Sequence, residues 1–527
     1  MLDVPLDYLN PKLGRAYVPI IKKPATSPTT YKGILFVNPG GPGESGVKFL
    51  LSRNPYVDLV AGSDYDLASW EPRGIGYSVP AVNSCSAPTN ATSTSEAKLR
   101  RDLEDLKIHG PNLPQEVIAD ADTYTELTAS CVETMGGNLD AGPHMTTATV
   151  VRDLLSILDA YSVTPEGCKA EDPELLNLWG FSYGSIIGQT FASMFPERVG
   201  RVVVDGVVDP DEYAAGTIDS LSNIDMDAVM ATFFVYCYAA GPSQCPFSIG
   251  ASAYDIYHRF ETMINHLNVT QAVQQKWENA TAIGSTIQTM QSGLFGALSD
   301  PPEYFPRLSI ALVAIESFAL SGKIASDSVA AIKTALLGDG NAVLPPGDPT
   351  PELQQIRLAA VGCSDTGGKL YTTSFSEYAA RLPILQERSW IGGDSAWVNY
   401  LPCMSWSIKS EDVYLGPFGG EVKGRFLAVG NRFDPQTPLV NAVKAARIFP
   451  QAELLTIEGT GHTSLSAVNE CAFRKINAFF YEDESCQKET YCPLEAGPWN
   501  ITLAGPLEKI DGLEGIVKRF QGMKVRE

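Results

Sequence analysis

Short apolar runs that close on glycine- or proline-rich stretches recur at both ends of the chain and thin out in its middle. Ile34-Leu35-Phe36-Val37-Asn38, Leu175-Leu176-Asn177-Leu178-Trp179, Gly424-Arg425-Phe426-Leu427-Ala428-Val429-Gly430 and Glu453-Leu454-Leu455-Thr456-Ile457 have the apolar density of buried strands. Amphipathic runs lie between them. Val150, Leu154, Leu158 and Tyr161 recur at helical spacing in 147–161, which predicts a core-facing helix, and 185–195 predicts a second. Strands alternating with helices predict an α/β fold, a mostly parallel central sheet flanked by helices. The rhythm changes over 211–388, where helical runs at 226–238, 251–267 and 306–320 follow one another and 338–351 reads as a surface loop. The pattern therefore predicts a core in two parts, 1–210 and 389–495, interrupted by a large, mainly helical cap at 211–388. A tail follows at 496–527, and its stretch 507–525 predicts a glycine-interrupted amphipathic helix packed on the core surface.

One predicted strand passes into a predicted helix through Gly180-Phe181-Ser182-Tyr183-Gly184. G-x-S-x-G arises often by chance. In this context it has the form of a nucleophile elbow, where flanking glycines relieve crowding and leave the Ser182 hydroxyl exposed. A Ser hydroxyl attacks only when an imidazole takes its proton, and a buried carboxylate holds that imidazole in the right tautomer. Asp434 follows the strand at 424–430 and His462 follows the strand at 453–457, the order that an α/β-hydrolase requires. Either residue alone is more often structural. The chain has five histidines, His109, His144, His258, His266 and His462, and only the last lies downstream of Asp434. Together the three predict a catalytic triad on an α/β-hydrolase fold.

Acyl transfer also needs fixed N–H donors for its oxyanion. Tyr183, the residue after the nucleophile, is one candidate. The loop Pro39-Gly40-Gly41-Pro42-Gly43-Glu44-Ser45-Gly46 supplies the other, and Gly41 is the better donor because Pro42 has no N–H. A phosphate-cradling reading of that loop fails for want of G-K-[ST] or of G-x-G-x-x-G opening a helix.

Asn38-Pro39-Gly40-Gly41-Pro42-Gly43, Trp70-Glu71-Pro72-Arg73-Gly74-Ile75-Gly76-Tyr77-Ser78, Gly180-Phe181-Ser182-Tyr183-Gly184 and Asp434-Pro435-Gln436-Thr437-Pro438 resemble peptidase family S33. Within it the chain is most similar to the tripeptidyl-aminopeptidase-like branch, as Val4-Pro5-Leu6-Asp7-Tyr8 and Asp205-Gly206-Val207-Val208-Asp209-Pro210 also are. The resemblance spans most of 1–495 and is weakest in the middle. It implies a serine hydrolase acting through an acyl-enzyme, an aminopeptidase that releases short N-terminal units from peptides without metal or cofactor. Carried over by position, the triad is Ser182, Asp434 and His462, with Gly41 and Tyr183 as the oxyanion hole. The pairs Cys85–Cys131 and Cys363–Cys403 are implied as well.

The chain departs from the family at two places. Glu44 stands where the loop usually has Gly, at the expected mouth of the pocket, and Glu71 replaces the usual Asp before Pro72-Arg73-Gly74. Glu71 and Arg73 are read as structural. The insertions resemble those of relatives that act on esters or amides of small metabolites, so a carboxylesterase, or a lactonase or amidase, using the same triad is the alternative. An aminopeptidase must bind a free ammonium, which a carboxylate does through charge-assisted hydrogen bonds. Glu44, Glu316 and Asp365 are the candidates, each more often a solvated or structural acid. Trp390, Trp397 and Trp406 are pocket walls or, by default, core.

A net charge of −22 disfavours nucleic acid and anionic membranes as partners. No apolar run reaches the roughly 20 residues that span a bilayer, and the best, 308–320, is broken by Glu316. Ten cysteines with no Cys-x-x-Cys point to disulfides rather than zinc, and so to secretion. Cys237 and Cys245 are close in sequence. Cys492 has two options, Cys486 or Cys471, and the second frees Cys486 for Cys168. Sequons at Asn90, Asn268, Asn279 and Asn500 are no more than chance provides. No signal peptide opens the chain, which starts where the family's first strand starts; the expectation is a secreted protein whose leader has been removed.

Overall fold

The computed structural model describes residues 1–27, 29–52, 55–82, 85, 127–128, 130–217, 222–266, 294–321, 351–482, 488–510 and 512–522. β1 (Leu2–Pro5) and β2 (Arg15–Val18) form a separate antiparallel pair. Among the described residues the main sheet has eight strands: β3 (Ile20–Lys23), β4 (Gly33–Asn38), β5 (Tyr65–Trp70), β6 (Leu176–Phe181), β7 (Val199–Asp205), β8 (Arg425–Phe433), β9 (Glu453–Thr460) and β10 (Glu489–Cys492). Their spatial order is β10-β9-β8-β7-β6-β4-β5-β3, parallel throughout except for the edge strand β3.

β4 and β5 are buried at every position, as strands covered on both faces must be. Alternate side chains enter different cores. Leu35, Val37, Trp179, Val203 and Leu455 pack with Val57 and Val60 of helix Pro55–Ala61 and with Phe473 and Ile476 of helix Glu470–Tyr481. Phe36, Leu178, Val202 and Val204 face the other side, against Val150 and Leu154 of helix Thr147–Ser162 and Ile187 of helix Tyr183–Met194. From β4 the chain moves outward to β5; from β6 it moves the other way, to β7. The crevice at the C-terminal ends of β4 and β6 is therefore the topological switch point, where ligands collect in this architecture. Pairing of Asn38 with Gly180 sets the two strand ends level.

The insertion is helical. Met226–Ala240, Ala253–His266 and Pro301–Ser321 build a core of their own around Phe233, Phe234, Ile256, Phe260, Leu308 and Leu312. Helices Pro351–Asp365 and Gly392–Tyr400 instead contribute to the cluster on the sheet. Helical structure continues to Met404, and the next strand is β8. The surface-loop stretch 338–350 lies outside the described residues, as do Asn90, Asn268 and Asn279, while Asn500 is exposed.

The tail differs from expectation. Its helix is Leu513–Gly522, preceded by a single turn at Leu507–Lys509, because Gly512 at φ 83° breaks the run. It packs on the cap rather than on the sheet. Phe520 meets Phe234, Tyr257, Phe260 and Trp390, and Leu507 N–H donates to the buried Glu458 of β9 at 2.8 Å.

Among the described residues there are four disulfides: Cys85–Cys131, Cys237–Cys245, Cys363–Cys403 and Cys471–Cys492. Cys492 thus takes the second of its two options. Cys168 is an exposed free thiol, and Cys486 lies outside the described residues. Among the described residues no helix is long and apolar enough to cross a membrane.

Candidate active site

β6 ends at Phe181, and Ser182 turns the chain into the following helix with φ 54° and ψ −122°. A non-glycine residue held there stores strain, which the surroundings must over-determine. They do. Ser182 N–H donates to Asp205 O at 2.9 Å, and its carbonyl accepts Ser185 N–H at 2.8 Å. The motif glycines are steric requirements: a Cβ on Gly180 would lie 2.2 Å from Gly184 O, and one on Gly184 would lie 2.8 Å from Asn38 O. The Tyr183 ring is buried, its hydroxyl on Thr147 Oγ1 at 2.7 Å. Gly41 follows Gly40, whose Cα faces the turn closely enough that a Cβ would sit 3.1 Å from Tyr183 N. The structure brings the two expected oxyanion donors to one place.

Asp434 is fully buried past the end of β8. Oδ1 accepts the backbone N–H groups of Gln436 and Thr437, both at 2.9 Å; Oδ2 accepts Thr437 Oγ1 at 2.8 Å and Thr463 N–H at 3.0 Å. Nδ1 of His462 lies 2.9 and 3.0 Å from the two carboxylate oxygens. Burial opposes ionisation of Asp434, but the imidazole and these donors outweigh it and hold the carboxyl below its ordinary value. For His462, burial disfavours the cation, while Asp434, then Asp205 and Glu44, outweigh it and raise the imidazole above its ordinary value. Its other nitrogen, Nε2, is buried without a hydrogen-bond partner, so the bond to Ser182 expected of a general base is not made in this state. Catalytic hydrogen bonds often tighten only with substrate bound. Ser182 and His462 meet through Asp205-Gly206: the carbonyl of Asp205 holds Ser182, and a Cβ on Gly206 would be 3.4 Å from His462 Cε1.

Ser182, Gly41 and Tyr183 open onto a solvent-connected cleft whose walls include Val208, Tyr213, Phe295, Leu358 and the Cys363–Cys403 disulfide. Its polar lining is neutral, with Asn223, Asn399, Gln436 and Thr437. Among the described residues no charged side chain lines it and no group of His, Cys, Asp or Glu is placed to hold a metal.

The three carboxylates proposed for an ammonium separate clearly. Glu316 is a correction: both its oxygens are taken by Arg259, at 2.8 and 2.6 Å, within the cap, and it does not reach the cleft. Asp365 is another. It is buried behind the wall, accepting Thr147 N–H, Thr147 Oγ1 and Tyr213 O–H at 2.7, 2.6 and 2.8 Å, so it braces Tyr213 rather than facing the opening. Glu44 is exposed next to the cleft-lining Gly41, where a Cβ would lie 3.3 Å from Glu44 Cγ. Protein crowds its carboxyl and raises its pKa, against the pull of His462 and Lys48.

Glu71 accepts Ser45 Oγ at 2.6 Å, and Arg73 makes a bidentate pair with the buried Asp153 at 2.7 and 2.8 Å. Both hold loops. Trp397 and Trp406 are buried, and Trp390 packs on Phe260; none lines the cleft. Residues that sequence reasoning passed over are Thr437, which braces Asp434; Asp205; and Asn431, whose Nδ2 holds the carbonyls of Gly461 and Thr463 at 2.7 and 2.6 Å. Only Asp205 carried a signal, its place in the Asp205–Pro210 motif.

A strained serine at a strand–helix turn, a buried aspartate on an imidazole and a mostly parallel sheet define an α/β-hydrolase. A family model described as TAP-like protein matches residues 389–492, which carry Asp434 and His462. The chain is 26% identical over 505 residues to tripeptidyl aminopeptidase of Streptomyces lividans, covering 94% of this chain and 84% of the relative. It is 30% identical over 267 residues to serine protease Hip1 of Mycobacterium tuberculosis, covering 49% and 44%, and 25% identical over 487 residues to carboxylesterase B of the same species, covering 91% and 83%. The chain is an α/β-hydrolase and a serine hydrolase, similar to the TAP-like family over residues 389–492 and consistent with peptidase family S33.

Proposed function

We propose that the protein is an extracellular serine aminopeptidase that releases short N-terminal units from peptides. Ser182 attacks the carbonyl, His462 takes its proton and returns it to the leaving amine, and Asp434 fixes the imidazole tautomer. Gly41 and Tyr183 N–H groups receive the oxyanion. The observation that carries this reading is His462 itself: Nδ1 is committed to Asp434 and Nε2 has no hydrogen-bond partner, while the ring stands against Gly206, the residue after the Asp205 whose carbonyl holds Ser182. The similarity to tripeptidyl aminopeptidase over most of both chains supports the exopeptidase class. Glu44, the one of the three acids next to the cleft-lining Gly41, is the reader of the substrate ammonium. The disulfides support the compartment.

A second reading, a small-molecule carboxylesterase, is favoured by one observation: no charged side chain lines the cleft among the described residues. Hydrolysis of free and N-acetylated di- and tripeptide anilides beside short-chain aryl esters separates the two. Turnover of free-amine peptides alone is expected; ester turnover without peptide cleavage would move the function to ester chemistry. A fluorophosphonate probe should label the wild type and not Ser182→Ala, and labelling of both would sink the triad assignment.

A further inference from the structure

Asn223 stands on the segment that leads from the core into cap helix Met226–Ala240, with its backbone at φ 65°. Such conformations are uncommon outside glycine, although Asn tolerates them best. Among the described non-glycine residues the others are Ser182, Thr463, Trp499 and Asn500. Two of these are the proposed nucleophile and the residue after His462, so Asn223 shares its strain with the site. It is 4% exposed and lines the cleft together with Gly41, Ser182 and Tyr183.

Its carboxamide nitrogen is buried and has no hydrogen-bond partner. The residue is held in place, because Met226 N–H donates to its carbonyl at 3.2 Å and Gly392 backs it so closely that a Cβ there would meet Asn223 Cβ at 2.6 Å. A buried amide left unpaired is unfavourable and rare. Asn223 lines the cleft, whose polar wall groups leave this nitrogen without a partner, and it also borders a smaller pocket walled by Leu385, Arg388 and Gly392. Its missing partner is one that arrives with the substrate.

We infer that Asn223 is a substrate-binding residue whose carboxamide hydrogen-bonds a peptide unit of the substrate near the scissile bond. A carboxamide offers both a donor and an acceptor, which match the C=O and N–H of a planar amide. A simple alkanoyl ester has only the carbonyl that the oxyanion donors already hold. Asn223 therefore discriminates amide-bearing acyl compounds from plain esters. The inference rests on the hydrolase reading above and narrows its substrate class.

The test compares wild type, Asn223→Gly and Asn223→Asp on three substrates. They are p-nitrophenyl butyrate, which has no amide; the p-nitrophenyl ester of N-acetylalanine, which has one; and a free-amine alanine oligopeptide. Gly keeps the backbone conformation and removes the carboxamide; Asp keeps the shape and removes the N–H₂. For both variants kcat/KM on at least one amide-bearing substrate should fall roughly 10–100-fold, with butyrate within about twofold. Equal losses on all three would show a merely structural residue, and no loss on any would show an idle one; either overturns the inference. Failure of the wild type to cleave the peptide would sink the aminopeptidase reading instead, and the N-acetylalanine ester would still test Asn223.

Discussion

The carboxylate of Asp205 accepts the backbone N–H of Ser464 at 2.8 Å and its hydroxyl at 2.5 Å, while the carbonyl of the same aspartate holds the Ser182 N–H. One residue at the end of β7 thereby ties the Ser182 turn to the loop that carries His462. Trp179 Nε1 adds a third donor at 3.1 Å. Asp205→Asn keeps the volume but replaces one acceptor oxygen with a donor that opposes Ser464 or Trp179. Activity should drop about tenfold or more, with a lower Tm, since a buried network half-satisfied is costly. Unchanged kcat and Tm would show that the tie is dispensable.

The general-base role proposed for His462 requires the neutral imidazole, and the fold raises its pKa. The acid limb of kcat/KM is therefore expected above the ordinary imidazole value near 6.5. Glu44 is one cause of that rise, so Glu44→Gln should move the limb to lower pH while Ser182 still reacts with a fluorophosphonate. A limb below 6.5 in the wild type, or one that Glu44→Gln moves upward, would contradict the assignment.

Gly40 has φ 106°, and a Cβ there would stand 2.6 Å from Phe181 O and 2.9 Å from Ser182 Cβ. Both atoms belong to the turn and cannot yield cheaply. Gly40→Ala should push the loop bearing Gly41 away from Tyr183 N–H and cut kcat by about 100-fold, the scale of one lost oxyanion donor. KM should change less. A folded variant with wild-type kcat would remove Gly41 from the oxyanion hole.

Stability should rise on mild acidification. Burial raises Asp205 and Asp365 to about 6 and Asp225 to about 7, well above the unfolded carboxyl value near 3.9. These groups bind protons in the folded chain at a pH where the unfolded chain has released them. Their contribution is full below the unfolded value and is lost as pH climbs through 6 and 7. Asp434, lowered, acts oppositely and only as pH falls below about 4. Calorimetry should give a higher Tm at pH 5 than at pH 8, and Asp365→Asn should flatten the difference.

Sequence carries information about contacts made locally. Ser182, Asp434 and His462 stand out as a set because each follows an apolar strand, and strand ends gather at one edge of a parallel sheet. The helical runs expected at 226–238 and 251–267 form the helices Met226–Ala240 and Ala253–His266. What stayed hidden lies in pairings across long separations. Glu316 looks free until helix Ala253–His266 delivers Arg259. Asp365 looks available until Thr147 and Tyr213 reach it. The tail helix is amphipathic whichever surface it covers, so its pattern cannot say that Phe520 enters the cap. Nor does an Asn in a polar segment announce a positive φ.

The seat of Phe520 bears on how such enzymes diversify. The apolar cluster of the cap is completed by Leu507, Leu513, Ile516 and Phe520, from the far end of the chain. The unit that supplies Phe295 to the cleft wall is thus written in two separate stretches of sequence. Recombination that exchanged the insertion alone would import helices lacking their last layer, with Phe234 and Phe260 laid open to water. New specificities in this lineage are expected to arise when insertion and tail change together, or through single substitutions on the cleft wall that leave that shared seam untouched.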